Sequence, residues 1–210
     1  MSQIDIEIHW NNTYTKNEVT KLGWYEGVSV PSLDIIKELN LNKEGPILIV
    51  GCGSTTLIDS LLDEKYTNII ASDISEEAIK ILKKRIGNNE KSVTWIVDDL
   101  TNPSSLNNIN EVALWQDRAV LHFLTEPHQQ DQYLNLMNNL VKVGGYVIIA
   151  VFAMDGAIKC SGLNVKRYSS ETLSEFLGTD YKLLKSFDYL YNMPSGDTRP
   201  YVYTLFKRVN

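Results

Sequence analysis

The sequence predicts an α/β fold: a seven-stranded, mostly parallel, doubly wound sheet with a C-terminal antiparallel hairpin and an N-terminal helical cap. Three observations lead to this fold class. Apolar runs alternate with helical patterns between residues 46 and 152. Three successive apolar runs end in glycine or aspartate, as strands of a ligand-binding parallel sheet do. Finally, 181–191 and 199–208 alternate in hydropathy around a Pro-Ser-Gly-Asp turn, which is typical of a hairpin.

The elements follow in chain order. The cap is expected to contain short helices at 13–22 and 31–39, the second with Pro31 as its start signal. Ser75 is predicted to cap a helix because acidic residues fill the turn after it. Gly144-Gly145 is expected to precede the fifth strand, an apolar run suited to burial on both faces. Parallel strands are predicted at 46–51, 68–73, 93–98, 111–116 and 146–152, and helices at 55–62, 75–86, 126–141 and 170–177.

Length and composition indicate one soluble domain. The chain has 210 residues, 43% of them hydrophobic and 22% charged, which suits a single globular core. A net charge of −6 offers phosphate backbones no general attraction, so we expect no nucleic-acid partner. We also expect no membrane partner and a cytoplasmic location, because no run is long enough for a span and the first residues do not resemble a signal peptide. The oligomeric state stays open.

The two cysteines give no sign of a metal site or a disulfide. Cys52 and Cys160 are far apart in sequence, there is no C-x-x-C pair, and the chain has only 3 histidines. We expect two reduced thiols and no bound metal. Within its loop, Cys52 is expected to serve as a small, well-fitting side chain.

The first strand runs into a loop suited to ligand binding. Gly51 and Gly53 permit positive φ and leave no Cβ in the way of a ligand, and the next helix points free N–H groups at the loop. A dinucleotide-binding loop needs a third glycine, where this chain has Ser54, Thr55 and Thr56. A nicotinamide-dependent oxidoreductase is therefore a disfavoured alternative.

Acidic residues end the next two strands. Asp73 lies twenty positions after Gly53, where a carboxylate accepts hydrogen bonds from ribose hydroxyls. The alternative is that Asp73 caps the helix that follows, and both roles are compatible. Asp98 and Asp99 end the third strand. The carboxyl ends of these strands meet at one sheet edge, so the sequence predicts a nucleoside site there.

Gly51-Cys52-Gly53 and the acidic strand ends resemble the class I S-adenosylmethionine (SAM)-dependent methyltransferases. The resemblance covers nearly the whole chain and implies SAM as cofactor. It divides the domain into a cap (1–42), a SAM-binding half (43–152) and a C-terminal helix and hairpin (153–210). It also implies the following cofactor contacts. These are Gly51, Cys52 and Gly53 for the methionine and ribose, Asp73 and Ile74 for the ribose, and Asp98, Asp99 and Leu100 for the adenine.

Two details of these contacts are expected to matter. Asp99 is our first choice for the adenine amino group, and Asp98 is expected to face solvent. The family commonly has an acid two positions before the first glycine, which helps to hold the methionine ammonium. This chain has Ile49 there, so another carboxylate or a carbonyl must supply that contact.

A second resemblance lies after the fourth strand. The segment 114–125, Leu-Trp-Gln-Asp-Arg-Ala-Val-Leu-His-Phe-Leu-Thr, resembles the W-H-D-R-A-V-F-H-F-L segment of a bacterial subfamily of small methyltransferases. It also resembles the D-K-G segment of protein-lysine methyltransferases that act on an elongation factor, which keeps a protein substrate open.

The resemblance implies that Gln116 and Asp117 lie on the catalytic side of the site. Gln116 stands where the subfamily often has His and cannot act as a base, so we expect it to position a nucleophile or contact SAM. Asp117 is expected either to contact substrate or to pair with Arg118. His122, within an apolar run, is expected to be a packed, hydrogen-bonded core histidine rather than a catalyst.

Two aromatic residues of the cap complete the expected site. Trp24 and Tyr25 resemble an aromatic lid over SAM, the alternative being that they anchor the cap to the sheet. The sequence thus predicts a SAM-dependent methyltransferase acting on a small molecule or a protein side chain. A SAM-fold module without catalysis is a further alternative, suggested by Ile49 and Gln116.

Overall fold

A computed structural model describes residues 3–210, with side chains from Asp5 onward, and confirms the predicted fold class. The strands of the main sheet are β1 (Ile47–Val50), β2 (Ile69–Asp73), β3 (Val93–Val97), β4 (Val112–Arg118), β5 (Val141–Phe152), β8 (Tyr181–Asn192) and β9 (Thr198–Arg208). Their order is β3-β2-β1-β4-β5-β9-β8. The first five are parallel, and β9 is antiparallel to both of its neighbours. The short strands β6 (Lys159–Cys160) and β7 (Leu163–Asn164) pair separately.

Helices cover both faces of the sheet. They are α1 (Gln3–Lys16), α2 (Val30–Glu38), α3 (Leu57–Asp63), α4 (Glu76–Ile86), α5 (Pro127–Leu140) and α6 (Ser170–Leu177). Ile47 and Ile49 of β1 pack in one core with buried side chains of α2, α3 and α4. Leu48 and Val50 point to the other face and share a second core with α5 and α6. This two-sided burial explains why the central strands are continuous apolar runs. Among the described residues, no helix has the length and apolar character of a membrane span.

The structure differs from the predicted elements in the N-terminal cap. The helix expected at 13–22 is instead α1, which ends at Lys16 and is followed by a single 3₁₀ turn at Val19–Lys21. Only a narrow stripe of this helix is apolar, because the polar residues 11–13 separate Trp10 from Tyr14 in the sequence. A helix that buries so little has weak hydrophobic periodicity, which is why the sequence pattern misplaced it.

Strand β5 also begins earlier than expected, at Val141 rather than at Tyr146. Val141 pairs with Val112, and the register then shifts so that Leu114 faces Tyr146. Gly144, with φ of 82°, lies within this irregularity. Pairing with β9 starts only at Tyr146, so the glycine pair marks where regular two-sided pairing begins. The β6–β7 pair was not predicted.

The side chain of Asp117 fixes the turn that follows β4. Its oxygens accept hydrogen bonds from the backbone N–H groups of Val120 and Leu121, each at 3.0 Å, and from the Tyr133 hydroxyl at 2.8 Å. Tyr133 in turn accepts from Trp115 Nε1 at 3.0 Å. Burial raises the pKa of Asp117 to about 6, against the opposing effect of these hydrogen bonds. The carboxylate therefore ties β4, its turn and α5 together.

Asp117→Ala should lower the free energy of unfolding by about 1–3 kcal/mol, because it leaves buried donors without an acceptor. The measurement is urea denaturation followed by circular dichroism. Asp131→Ala, which removes an exposed carboxylate of α5, is the matched control and should have little effect. Equal midpoints for the two variants would show that Asp117 does not hold this turn.

Candidate active site

A large cavity opens at the carboxyl ends of β1, β2, β3 and β4. It encloses about 1160 Å³, including the part open to solvent. Every residue predicted to bind the cofactor lines it: Trp24, Tyr25, Gly51, Cys52, Gly53, Asp73, Ile74, Asp98, Asp99, Leu100 and Gln116. The sheet thus brings together residues that lie far apart in the sequence.

The glycines of the β1–α3 loop stand where no other residue fits. Gly51 and Gly53 have φ of 52° and 49°. A Cβ on Gly51 would lie 2.1 Å from a methyl carbon of Val120, and one on Gly53 would lie 2.4 Å from the Tyr14 hydroxyl. Between them, Cys52 is buried, and burial raises the pKa of its thiol. The loop therefore presents backbone to the cavity, and Cys52 fills space as expected.

Asp73 connects this loop to α4. Its Oδ2 accepts from Gly53 N at 2.7 Å and its Oδ1 from Ser75 N at 2.8 Å. Ser75 caps α4 as predicted, because its hydroxyl accepts from Ala78 N at 3.1 Å. Burial raises the pKa of Asp73 to about 6, although these backbone hydrogen bonds lower it. Asp73 is thus both a cavity residue and a structural link, in agreement with the two roles considered for it.

The two acids after β3 organise the next loop. Asp98 does not simply face solvent as expected, because its oxygens accept from the backbone N–H groups of Ser104 and Leu106 at 3.0 and 2.8 Å. Asp99 accepts from the backbone N–H and hydroxyl of Thr101 through Oδ1 at 2.7 and 2.8 Å. Asp98 is therefore the more structural of the two, while both line the cavity.

Helix α1 roofs the cavity. Ile6, Trp10 and Tyr14, spaced by four residues, present one helix face to it. Trp24 meets the ring of Trp10 edge-on at 5.7 Å and donates from Nε1 to the Tyr14 hydroxyl at 3.2 Å. Trp24 therefore both lines the cavity and anchors the cap.

A polar contact fixes the position of α1 as well. Asn11 Oδ1 accepts from the Ser75 hydroxyl at 2.9 Å and from Glu77 N at 3.3 Å. A hydrogen-bonded chain thus runs from the roof through Ser75 and Asp73 to Gly53. This role of Asn11 was not predicted.

Gln116 and Asp117, both expected on the catalytic side of the site, have different surroundings in the structure. Gln116 lines the cavity, and its Nε2 donates to the Ser32 hydroxyl at 3.3 Å. Asp117, which is adjacent to it in the strand, is not among the cavity-lining residues and does not pair with Arg118. Successive strand residues point to opposite faces, and Asp117 is held by its own turn and Tyr133. Its expected catalytic contact is therefore not supported.

His122 is buried as predicted, with its ring packed against Phe123 and Phe152 at centroid distances of 4.5 and 4.4 Å. Burial, together with the nearby arginines, lowers its pKa to about 3. The expected hydrogen bonds are not seen, since neither ring nitrogen has a partner among the described residues. A neutral, enclosed ring of this kind is part of the core.

An ion pair in the cavity wall was not predicted. Arg118 Nη2 lies 3.1 Å from Glu26 Oε1, and both side chains are nearly buried. Arg118 Nη1 also donates to the carbonyl of Trp24 at 3.0 Å, and its guanidinium lies over the rings of Tyr191 and Tyr201. Glu26 and Arg118 are 92 positions apart, and no local pattern in a single sequence predicts a contact over that separation. Among the described residues, no three or more His, Cys, Asp or Glu side chains lie close enough together to hold a metal ion.

Residues 47–145, just under half of the chain, match a family model described as a methyltransferase domain. This stretch is therefore similar in sequence to methyltransferase domains. The chain is 27% identical over 150 residues to an eEF1A lysine and N-terminal methyltransferase of Mus musculus, covering 68% of this chain and 21% of that protein. It is 26% identical over 205 residues to a tRNA N(3)-methylcytidine methyltransferase of Schizosaccharomyces pombe, covering 86% and 66%. The chain thus spans a fifth to two thirds of these relatives.

Solved structures agree with this fold. A SAM-dependent methyltransferase from Anabaena variabilis superposes with a TM-score of 0.79 at 18% identity, covering 98% of this chain and 94% of that one. A Burkholderia thailandensis 1,6-didemethyltoxoflavin-N1-methyltransferase, solved with 1,6-didemethyltoxoflavin and S-adenosylhomocysteine, gives 0.67 at 15% identity, covering 99% and 85%. The match to a methyltransferase model argues against the oxidoreductase alternative.

SAM is the cofactor of this class of methyltransferase, and the cavity fits it. The glycine loop presents its backbone to the cavity, with Val120 and Tyr14 lying where Cβ atoms on Gly51 and Gly53 would project. The buried carboxylate of Asp73 is suited to ribose hydroxyls, and Asp99 lies along the sheet edge toward the adenine position. The residues that the sequence predicts for nucleoside contacts therefore line one cavity.

The affinity for S-adenosylhomocysteine (SAH) should depend on pH through Asp73. With a pKa of about 6 in the ligand-free protein, this carboxyl is mostly protonated at pH 5 and ionised at pH 7. Ionised carboxylates accept hydroxyl hydrogen bonds more strongly, so affinity should rise about tenfold from pH 5 to pH 7. Calorimetric titration measures it, and Asp73→Asn should flatten the profile. An unchanged slope in that variant would assign the titration to another group.

Proposed function

We propose that this protein transfers a methyl group from SAM to an acceptor beside Gln116, and that the acceptor is a protein side chain or a small molecule. The observation that carries this proposal is the cavity of the methyltransferase domain. There the glycine loop after β1 lies between Asp73 at the end of β2 and Gln116 near the end of β4, and all of them line the cavity. One enclosure thus holds residues suited to nucleoside contacts and a polar side chain suited to an acceptor, which supports the proposal.

When bound, the cofactor supplies an electrophilic methyl group on a sulfonium. The protein's own task is to align the acceptor and exclude water, which needs no strong acid or base. Gln116 suits this task because it is only 3% exposed and its amide is held by Ser32. The aromatic side chains of Trp10, Trp24 and Phe123 close the same cavity.

A protein side chain is the acceptor that the relatives favour, since one of them methylates lysine and the N-terminus of eEF1A according to its name. Another is a tRNA methyltransferase, so the expected absence of a nucleic-acid partner is not supported. The net charge of −6 remains an argument against a long polyanionic acceptor. A protein side chain or small molecule is therefore proposed first.

SAM and SAH should raise the melting temperature of the protein, and NAD should not. A ligand that binds only the folded state at 100 times its dissociation constant adds about 2.7 kcal/mol to the free energy of unfolding. Differential scanning fluorimetry with the three ligands measures this. No shift with SAM or SAH at millimolar concentration would contradict the proposed cofactor site.

The acceptor is found by incubating the protein with a cell lysate and SAM labelled in the methyl group. Protease-sensitive label identifies a protein acceptor, nuclease-sensitive label a nucleic acid, and acid-soluble label a small molecule. If SAM binds but no fraction gains label, the protein is the SAM-fold module without catalysis.

Gln116→Ala should lower turnover about tenfold while SAH affinity stays within about twofold. Losing one hydrogen bond that forms mainly with the acceptor or in the transition state has this effect. Gln116→His should retain activity, as the subfamily resemblance implies. Single-turnover kinetics on the identified acceptor and SAH titration separate the two effects. Loss of SAH binding in Gln116→Ala would place this residue against the cofactor instead.

A further inference from the structure

The cavity lacks the acid that class I methyltransferases commonly place before the glycine loop. Ile49 occupies that position, lines the cavity and is only 1% exposed. An apolar side chain cannot compensate the α-ammonium charge of the methionine part of SAM. Another group in the cavity wall must do so.

Glu26 and Arg118 are the oppositely charged pair in that wall. Their side chains are 7% and 11% exposed, and their charged atoms lie 3.1 Å apart. Removing two charges from water is costly, and their mutual attraction seldom repays it in full. A buried pair that lines a ligand cavity is therefore better explained by ligand binding than by stability.

The pair lies at the methionine end of the cavity. Strand β1 is in register with β4 such that Val50 pairs with Asp117, which places Arg118 level with Gly51. The backbone carbonyl of Glu26 accepts from the Thr56 hydroxyl at 3.2 Å, at the start of α3. The adenosine contacts lie on the other side of β1, at the ends of β2 and β3.

Arg118 retains hydrogen-bonding capacity. Its Nη1 donates to the Trp24 carbonyl and its Nη2 faces Glu26, but its buried Nε has no hydrogen-bond acceptor within the described residues. Leaving a buried charged donor unpaired is costly. A ligand carboxylate would satisfy it.

We propose that Glu26 binds the α-ammonium and Arg118 the α-carboxylate of the cofactor, and that this pair replaces the acid missing at Ile49. The inference rests on the proposed function. With the ammonium beside Glu26 and the carboxylate beside Arg118, positive and negative charges alternate. Each of the two buried side chains thereby gains a second partner of opposite charge. Tight binding to this pair then depends on an intact amino-acid group on the ligand.

The test compares SAH with 5′-methylthioadenosine, which keeps the adenosine and thioether and lacks the amino-acid group. Wild-type protein should bind SAH much more tightly. Glu26→Gln and Arg118→Gln should each lower SAH affinity about tenfold or more, the range for charged hydrogen bonds, and leave 5′-methylthioadenosine affinity within about twofold. Glu38→Gln, which breaks the exposed pair with Lys185, should change neither affinity.

Each outcome of the titrations decides a different point. Equal affinity of wild-type protein for the two ligands, or parallel losses in folded variants, would overturn the inference and leave the proposed function intact. If the single variants unfold, the same two affinities are measured for the double variant Glu26→Gln with Arg118→Gln, which leaves no unpaired buried charge. A wild-type ratio of the two affinities in that protein would overturn the inference. Binding of neither ligand to wild-type protein would instead overturn the proposed function.

Discussion

The cavity depends first on the buried carboxylate of Asp73. One of its oxygens holds the glycine loop and the other holds the start of α4. Ser75 extends this link to Asn11, so the same carboxylate also governs where α1 docks. Burying a charge is unfavourable, and the raised pKa of Asp73 is the direct expression of that cost. The glycine loop, the start of α4 and helix α1 therefore all depend on this one carboxylate, and the ligand-binding role proposed for Asp73 cannot be separated from its structural role.

Buried charges at the two ends of the cavity are stabilised by different kinds of group. At the adenosine end, the acids accept hydrogen bonds from backbone N–H groups, which are fixed by the chain itself. At the other end, Arg118 is balanced by Glu26 and by the faces of Tyr191 and Tyr201. Backbone donors tolerate sequence change around them, whereas a side-chain pair requires both partners. The second end is therefore the more specific to this chain.

Local patterns predicted the sheet and half of the site well. Apolar runs and strand-end residues identified β1 to β4, and the cavity-lining role of Gly51 and Asp73 followed from the meeting of parallel strand ends. The boundaries of α1 and β5 were missed, because one helix buries little and one strand passes through glycines. The contacts of Asp117 and the Glu26–Arg118 pair depend on tertiary distances. No single sequence reports them, since their partners lie far along the chain.

The strand order has a consequence for synthesis on the ribosome. Strand β9 is the last of the sheet to emerge, yet it lies between β5 and β8, pairing with β8 along its whole length and with β5 from Tyr201 to Lys207. Until it is released, β5 has an open edge of buried apolar residues, and such edges associate with other chains. Arg118 also lacks the ring of Tyr201 until then. A nascent chain can thus form the nucleoside half early, but it acquires a closed sheet only after translation has passed the hairpin.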